Sequence, residues 1–504
     1  KHPVQDVDLI LTKSMFKAFG WMTENGLSWA EYLARCKKYH HALYISGVNQ
    51  TEPQQYTELN YQFLNTVSMT AEKFRPLDLP LGWEHSPEKD NRNWITKETE
   101  SAYYRLAADL TSRKEYFIDA LNRSEADKRS VLLAKILEKN PLFINEPIYT
   151  KELEYKAQSL LKQYAIGRLI VSGDNRYLSG DLIRFILMLV KSVADVVDEY
   201  MGVVARLSRE CYSETVAYAP GAAYPLNESY TLLRNPHIAR NEEAVVSPPE
   251  YIGPLRQKYL SHLSYVIMVD SRTLIPERLG GADFDGDMIK TIADPLLNAC
   301  VARNYKPNDY DAYSHQSSIP LLKIPSADSL ILDANDWQAR FEVVKSTFST
   351  RIGQICNAAF DRSIIAYDEN SDMAERERLQ RETEMLEILT GLEIDSVKSG
   401  IKPDLTEFLN QKTVNRSSFL KYKSLVGEDA SHEWYEPTKN EKLKRFFDSV
   451  DWENVTSNVE RLPYLAKMLE KNTPIIKAKP AQDVEIFAFA QNANWQETLN
   501  PADM

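Results

Sequence analysis

The sequence lacks any long uninterrupted apolar run, so no membrane-spanning helix is expected. It also lacks a secretory signal peptide and opens on Lys1 rather than on Met, which we read as a processed product or a piece of a longer protein. Cysteine is scarce. Cys36, Cys211, Cys300 and Cys356 are scattered without a C-x-x-C pair, which argues against a zinc site and fits a reducing, cytoplasmic compartment. An excess of basic charge is missing as well. The formal net charge of −12 counts against a general nucleic-acid-coating protein, whose affinity comes from cations that neutralise phosphates, but it leaves room for a basic internal channel. What is present is an ordinary globular composition over 504 residues, enough to bury large cores in several domains or lobes.

One stretch demands a partner. In Gly280-Gly281-Ala282-Asp283-Phe284-Asp285-Gly286-Asp287 three carboxylates occupy alternate positions, and a divalent metal is the positive partner they suit best. In an ideal strand the first and last would stand roughly 13 Å apart. A single Mg²⁺ with ligands at about 2.1 Å cannot bridge that. The segment must therefore curl, and Gly286 permits it by reaching angles closed to other residues. Phe284 then faces away and anchors the turn in apolar packing. Two other readings are open. An EF-hand calcium loop begins in a similar way, but its Gly and apolar positions hold Met288 and Lys290, and Asp294 stands where the bidentate Glu belongs. A bland acidic surface turn fits poorly between the apolar Leu274, Ile275, Leu279, Met288 and Ile289.

Periodicity orders the rest of the chain. Strands are expected near residues 8–11, 42–48, 167–174 and 263–270, the third of them closed by an Asp-Asn turn. Residues 68–93 read as a loop-rich linker, 97–164 as connector helices, 181–196 as a buried helix and 304–318 as a surface loop. Trp337, Phe341, Val344, Phe348, Ile352, Ile355 and Ala359 recur at steps of three and four, which predicts one amphipathic helix capped by Asn335, with Gly353 serving close packing or a bend. A second helix is expected from Ser371 to Gly391. Beyond Thr406 the chain is helical and charged, with Trp434, Trp452 and Trp495 as packing anchors. On residue type alone Lys13 and Lys17 are a surface pair, Arg234 is a surface residue, and Asp395 with Lys398 is a local ion pair.

Asp283-Phe284-Asp285-Gly286-Asp287 resembles the D-x-D-G-D of the two-barrel RNA polymerases, the superfamily of multisubunit transcription enzymes, RNA-silencing polymerases and single-chain phage polymerases. Further elements follow in the family's order. Ser14-Met15-Phe16-Lys17 is similar to the serine-to-lysine element that ends the first double-psi barrel, and Leu59-Asn60-Tyr61-Gln62 to the L-N-x-Q element after it. Gly167 to Asp174 with the helix after it is similar to the opening of the catalytic barrel. Arg234-Asn235-Pro236-His237 resembles the arginine-proline-histidine element, Ile352-Gly353-Gln354-Ile355-Cys356-Asn357 the helix that runs beside the active site, and Glu393-Ile394-Asp395-Ser396-Val397-Lys398-Ser399-Gly400 the A-V-D-x-x-K-x-G element, departing in its first two letters.

The resemblance implies an α+β fold: a double-psi β-barrel catalytic core with a helical connector and a helical C-terminal region. Residues 1–67 would be the C-terminal part of the first barrel, 68–160 linker and connector, 161–300 the catalytic barrel, 301–410 loop, bridge-like helix and following helix, and 411–504 the C-terminal region. It implies a template-directed RNA polymerase in which Asp283, Asp285 and Asp287 hold Mg²⁺, or Mn²⁺, while Lys17 or Lys13 offsets triphosphate charge and Arg234 reaches the nucleotide sugar. The partners are a nucleic-acid template, nascent RNA, ribonucleoside triphosphates and a preceding segment or companion chain that completes the first barrel. No membrane partner is expected. The wording around the Asp cluster favours a DNA template in a phage-type, host-cytoplasmic enzyme. The alternative is an RNA template as in the silencing enzymes, and a calcium-stabilised binding module is the outside reading.

Overall fold

The computed structural model describes residues 16, 18–42, 55–67, 69–76, 93–108, 113–122, 128–190, 197–198, 205–206, 215–222, 229–270, 273–304, 333, 335–347, 349–399, 401–410, 414–427, 441–455 and 457–475. Lys13, Lys17, Trp434, Trp495, the expected strand at 8–11, the expected strand at 42–48 after its first residue, and the 304–318 loop after its first residue lie outside them. The architecture is mixed helix and sheet.

The strands are β1 (Tyr56–Glu58), β2 (Ile170–Ser179), β3 (Val197–Asp198), β4 (Ala205–Arg206), β5 (Tyr230–Leu233), β6 (Ala244–Val246), β7 (Val266–Met268) and β8 (Met288–Ile292). β2 is the hub: its start pairs antiparallel with β1, its middle antiparallel with β8 and its end parallel with β7. β8 continues antiparallel to β5, and β5 to β6, while β3 and β4 pair with each other. The strand order β1-β2-β8-β5-β6 is an open path among the described residues, so the double-psi closure stays an expectation.

The Asp-Asn turn expected after Gly173 does not exist: β2 runs straight through Gly173, Asp174 and Asn175. Two side-chain facts explain the misreading. Asp174 is satisfied inside the protein by buried Arg176 at 2.7 Å, and Arg176 also donates to the carbonyls of Pro220 and Val266. Gly173 serves close approach rather than a turn, because a Cβ there would stand 2.1 Å from the Thr291 carbonyl oxygen on β8.

One apolar core lies between the sheet and the residues around the Asp cluster, formed by Leu178, Tyr230, Leu232, Val246, Ile267, Ile275, Leu279 and Ile289 among others. Phe284 packs against it. A larger core joins the connector helices Lys97–Ala107, Lys128–Lys139 and Pro147–Ala165 to the C-terminal helices Ser418–Val426, Glu441–Ser449 and Leu462–Asn472. Trp452 anchors there, donating its indole N–H to the Phe447 carbonyl and stacking on Tyr464.

The single amphipathic helix expected over Trp337 to Ala359 is two helices, Trp337–Thr347 and Ile352–Ala366. The cap of the first is Asp336, whose carboxylate accepts from Gln338 N and Ala339 N, rather than Asn335. Among the described residues a Cβ at Gly353 would meet nothing within 4 Å, and Gly353 lies inside the second helix rather than at the break. The break falls just before Ile352, where Glu393 holds Arg351 by its backbone N–H and its guanidinium. Glu393 belongs to a long helix, Met373–Ser399, which runs through the expected stop at Gly391.

Candidate active site

The chain reaches the Asp cluster through a short helical turn, Ile275–Arg278, and leaves it along β8. Between them the backbone folds back on itself. Asp283 N donates to Asp287 Oδ2 at 2.9 Å and Asp285 N to Asp283 Oδ1 at 3.1 Å, while Gly286 sits at φ +126°, in the region that favours glycine. The Asp287 carbonyl accepts from Leu178 N, tying the end of the curl to β2. One carboxylate oxygen from each of Asp283, Asp285 and Asp287 lies within 4.8 Å of the others. Asp283 and Asp285 are exposed and Asp287 is half-buried. A helical turn on one side and a strand on the other is not the helix-loop-helix of an EF-hand.

Arg234 follows β5 directly and reaches across to this loop. Its Nη2 donates to Asp287 Oδ1 and its Nη1 to the Gly280 carbonyl, both at 3.0 Å. The turn behind it is held from two sides. Asn60 Nδ2 donates to Asn235 Oδ1 at 2.5 Å, and Glu242 Oε2 accepts from Ile238 N at 2.5 Å and Ala239 N at 2.8 Å. His237 is fully buried, with Nε2 3.5 Å from Glu243 and its ring edge-on to Phe63. It serves the turn's packing rather than the Asp loop.

The side-chain hydrogen bond between the Asp283 and Asp285 carboxyls raises Asp283 above its ordinary value, burial and the charges of Asp285 and Asp287 push the same way, and the Asp285 backbone N–H opposes them. Crowded carboxylates of this kind, all hard oxygen donors at the exposed end of a fixed loop, fit a divalent cation such as Mg²⁺ or Mn²⁺. Just beyond the loop, Lys290 donates to Thr57 Oγ1 and to the Glu58 carbonyl, fastening β1 beside β8. Burial lowers its ammonium to about 8.

The structure thus brings Asp283, Asp285, Asp287 and Arg234 together, while Lys13 and Lys17 lie outside the described residues. Sequence reasoning missed Glu242, Glu387 and Lys290. Glu242 stands three residues after Ala239 at the end of a tight turn, the one local signal that could have found it. Nothing local marks Glu387, whose partner Asn241 lies 146 positions away.

Residues 237–448 match the family model described as RNA dependent RNA polymerase. This relates to that family of polymerases a segment that begins just after Arg234 and contains the Asp loop, the helices Trp337–Thr347, Ile352–Ala366 and Met373–Ser399 and part of the C-terminal region. No curated protein matches this chain. Among solved structures, the RNA dependent RNA polymerase QDE-1 from Thielavia terrestris is similar at 13% identity and a TM-score of 0.38, over 90% of this chain and 45% of its own. The chain therefore spans less than half the length of that relative.

Proposed function

We propose that this chain carries the catalytic centre of a template-directed RNA polymerase that copies RNA. The observation that carries the reading is the gathering of the Asp283, Asp285 and Asp287 oxygens within 4.8 Å inside the segment related to RNA dependent RNA polymerases. That family match favours the RNA template over the DNA template that the wording of the Asp cluster first suggested.

On this reading Asp283, Asp285 and Asp287 hold the divalent cation. Bound there, it would make a 3′ hydroxyl more acidic and offset the charge of a triphosphate. The chain's own residues do the rest. Phe284, packed against the core, and Leu178 N, bonded to the Asp287 carbonyl, keep the loop from relaxing as charge accumulates. Arg234 presents a guanidinium fixed at two points beside Asp287, placed to meet the sugar of an incoming nucleotide. Lys17 or Lys13 would take the phosphate-neutralising role that the resemblance implies. Residues 161–300 would form the catalytic barrel, with a preceding segment or companion chain completing the first.

The test is incorporation of labelled ribonucleotides with Mg²⁺ on matched single-stranded RNA and DNA templates, beside Asp285→Ala. Product on RNA is expected, with synthesis lost in the variant because the cation loses a ligand. Product on DNA alone would return the enzyme to the transcription branch. Undiminished synthesis by Asp285→Ala would remove the Asp loop from the chemistry.

A further inference from the structure

Behind Arg234 lies a cavity of about 130 Å³ between the Arg234 turn, the Gly280 loop and the long helix Met373–Ser399. Arg234, Glu242 and Gly280 line one side, and Glu387, Thr390 and Ile394 the other. Glu242 is almost wholly buried. Its Oε2 takes both N–H groups of the turn, while its Oε1 lies against Gly280, where a Cβ would be 3.2 Å from that oxygen and 3.7 Å from Arg234 Nη1. Glu387 comes from the long helix and accepts from Asn241, the residue next to Glu242.

We propose that Glu242 and Glu387 are positioning residues for Arg234, Glu242 by fixing the turn that carries the guanidinium and Glu387 by holding the long helix against that turn. The proposal deepens the polymerase reading above and rests on it: the pair sets how well Arg234 selects a ribose. Two carboxyls lining one cavity resist ionising together. Burial, followed by the charge of Glu387, pushes Glu242 well above the carboxylate range, and burial raises Glu387 to about 7. The charged groups around them favour the protonated pair. Glu243 faces Glu242 from the turn, Glu384 faces Glu387 from its own helix, Glu277 lines the cavity from the helical turn Ile275–Arg278, and the Cys356 thiol approaches Glu242 from the Ile352–Ala366 helix. Arg234 is the cation on the same wall, and its two hydrogen bonds point to Gly280 and Asp287. As the pH rises through about 7, Glu387 takes on charge beside Glu384, and the cost of burying that charge loosens the long helix from the turn.

The experiment measures kcat and KM for ribonucleotides and deoxyribonucleotides from about pH 5.5 to 8.5 in the wild type, Glu387→Gln, Glu242→Ala and Glu242→Gln. Expected is a severalfold rise in wild-type KM across neutrality that Glu387→Gln flattens. Glu242→Ala should raise KM about tenfold and lower ribose selectivity by a like factor with a smaller change in kcat, a pattern that marks lost binding geometry. Glu242→Gln, which keeps an oxygen for the two N–H groups, should restore most of both. A wild-type pH dependence retained by Glu387→Gln, or unchanged selectivity in Glu242→Ala, overturns the proposal. Melting without substrate separates this from the polymerase reading. A carboxyl raised in the folded state contributes stability that is complete below 4.5 and lost as the pH rises through about 7, so the wild-type melting temperature should fall more steeply over that range than that of Glu387→Gln. If no template supports incorporation, the polymerase reading fails by itself; equal melting slopes would then still overturn the pair.

Discussion

At Gly173 a methyl group has nowhere to go. The Thr291 carbonyl of β8 occupies the place, 2.1 Å from where a Cβ would stand, and that carbonyl is fixed backbone rather than a movable side chain. Gly173→Ala should therefore cost about 3 kcal/mol, the upper range for forced overpacking, seen as a lower urea midpoint with an unchanged slope. The position bears on function because β2 also receives the Asp287 carbonyl through Leu178 N. A shift of β8 against β2 would move the end of the Asp loop, so the same variant should lose activity before it unfolds. At Asp285 the expectation is purely chemical. Asp285→Ala should leave the melting temperature within a degree or so, since exposed substitutions away from packing features change little, while synthesis disappears.

An ion pair stands at the break between Trp337–Thr347 and Ile352–Ala366, beside Lys402, which donates to the Ser346 and Ser349 carbonyls. Glu393, whose side chain is 1% exposed, accepts from Arg351 N, Nε and Nη2, and Arg351 also donates to the Pro403 carbonyl. Arg351→Ala leaves that carboxylate buried without its guanidinium, at a cost of roughly 3 kcal/mol. Burial pushes the Glu393 carboxyl upward, but the hydrogen bonds and charge of Arg351 outweigh it and hold it below its ordinary value. The sign follows from the lowering: the stabilisation is present above 4.5 and is lost as the pH falls through the lowered value. Wild type should lose stability on acidification below 4.5 more steeply than Arg351→Ala, which thermal melts at several pH values would show. Equal acid slopes would mean that Arg351 does not hold the carboxylate in solution.

Across the whole molecule, residues far apart in sequence share one packing unit. Tyr61, from the segment after β1, packs its ring 5.0 Å from Phe360 and 5.1 Å from Phe419, with Lys423 Nζ 4.4 Å above it. Phe360 belongs to the helix Ile352–Ala366 and Phe419 to the C-terminal helices, and both join the core of the connector. Removing Phe419 as Ala should cost about 3 to 5 kcal/mol, as for other buried aromatic truncations. Because the core is shared, the loss should lower a single unfolding transition in a calorimeter. Two transitions, only one of them shifted, would show that the C-terminal helices fold apart from the rest.

The sequence by itself determined the Asp loop, because its chemistry sits in consecutive residues: three carboxylates, a glycine at the curl and a phenylalanine facing the core need no distant partner to be noticed. It also determined the connector and C-terminal helices, whose apolar spacing is a local property. The tertiary structure decided what depends on residues meeting across the chain. Asp174 reads as a turn residue until Arg176 satisfies it inside the sheet, and the stripe from Trp337 to Ala359 reads as one helix until Glu393 claims Arg351. Arg234 reads as a surface residue until β5 and the Asp loop bring it to Asp287, 53 positions away. Glu242 and Glu387 are two acidic letters among many until the fold closes a cavity around them. The physical reason is the same in each case: burial and pairing give a polar side chain its role, and both are set by what the fold places opposite it rather than by its neighbours in sequence.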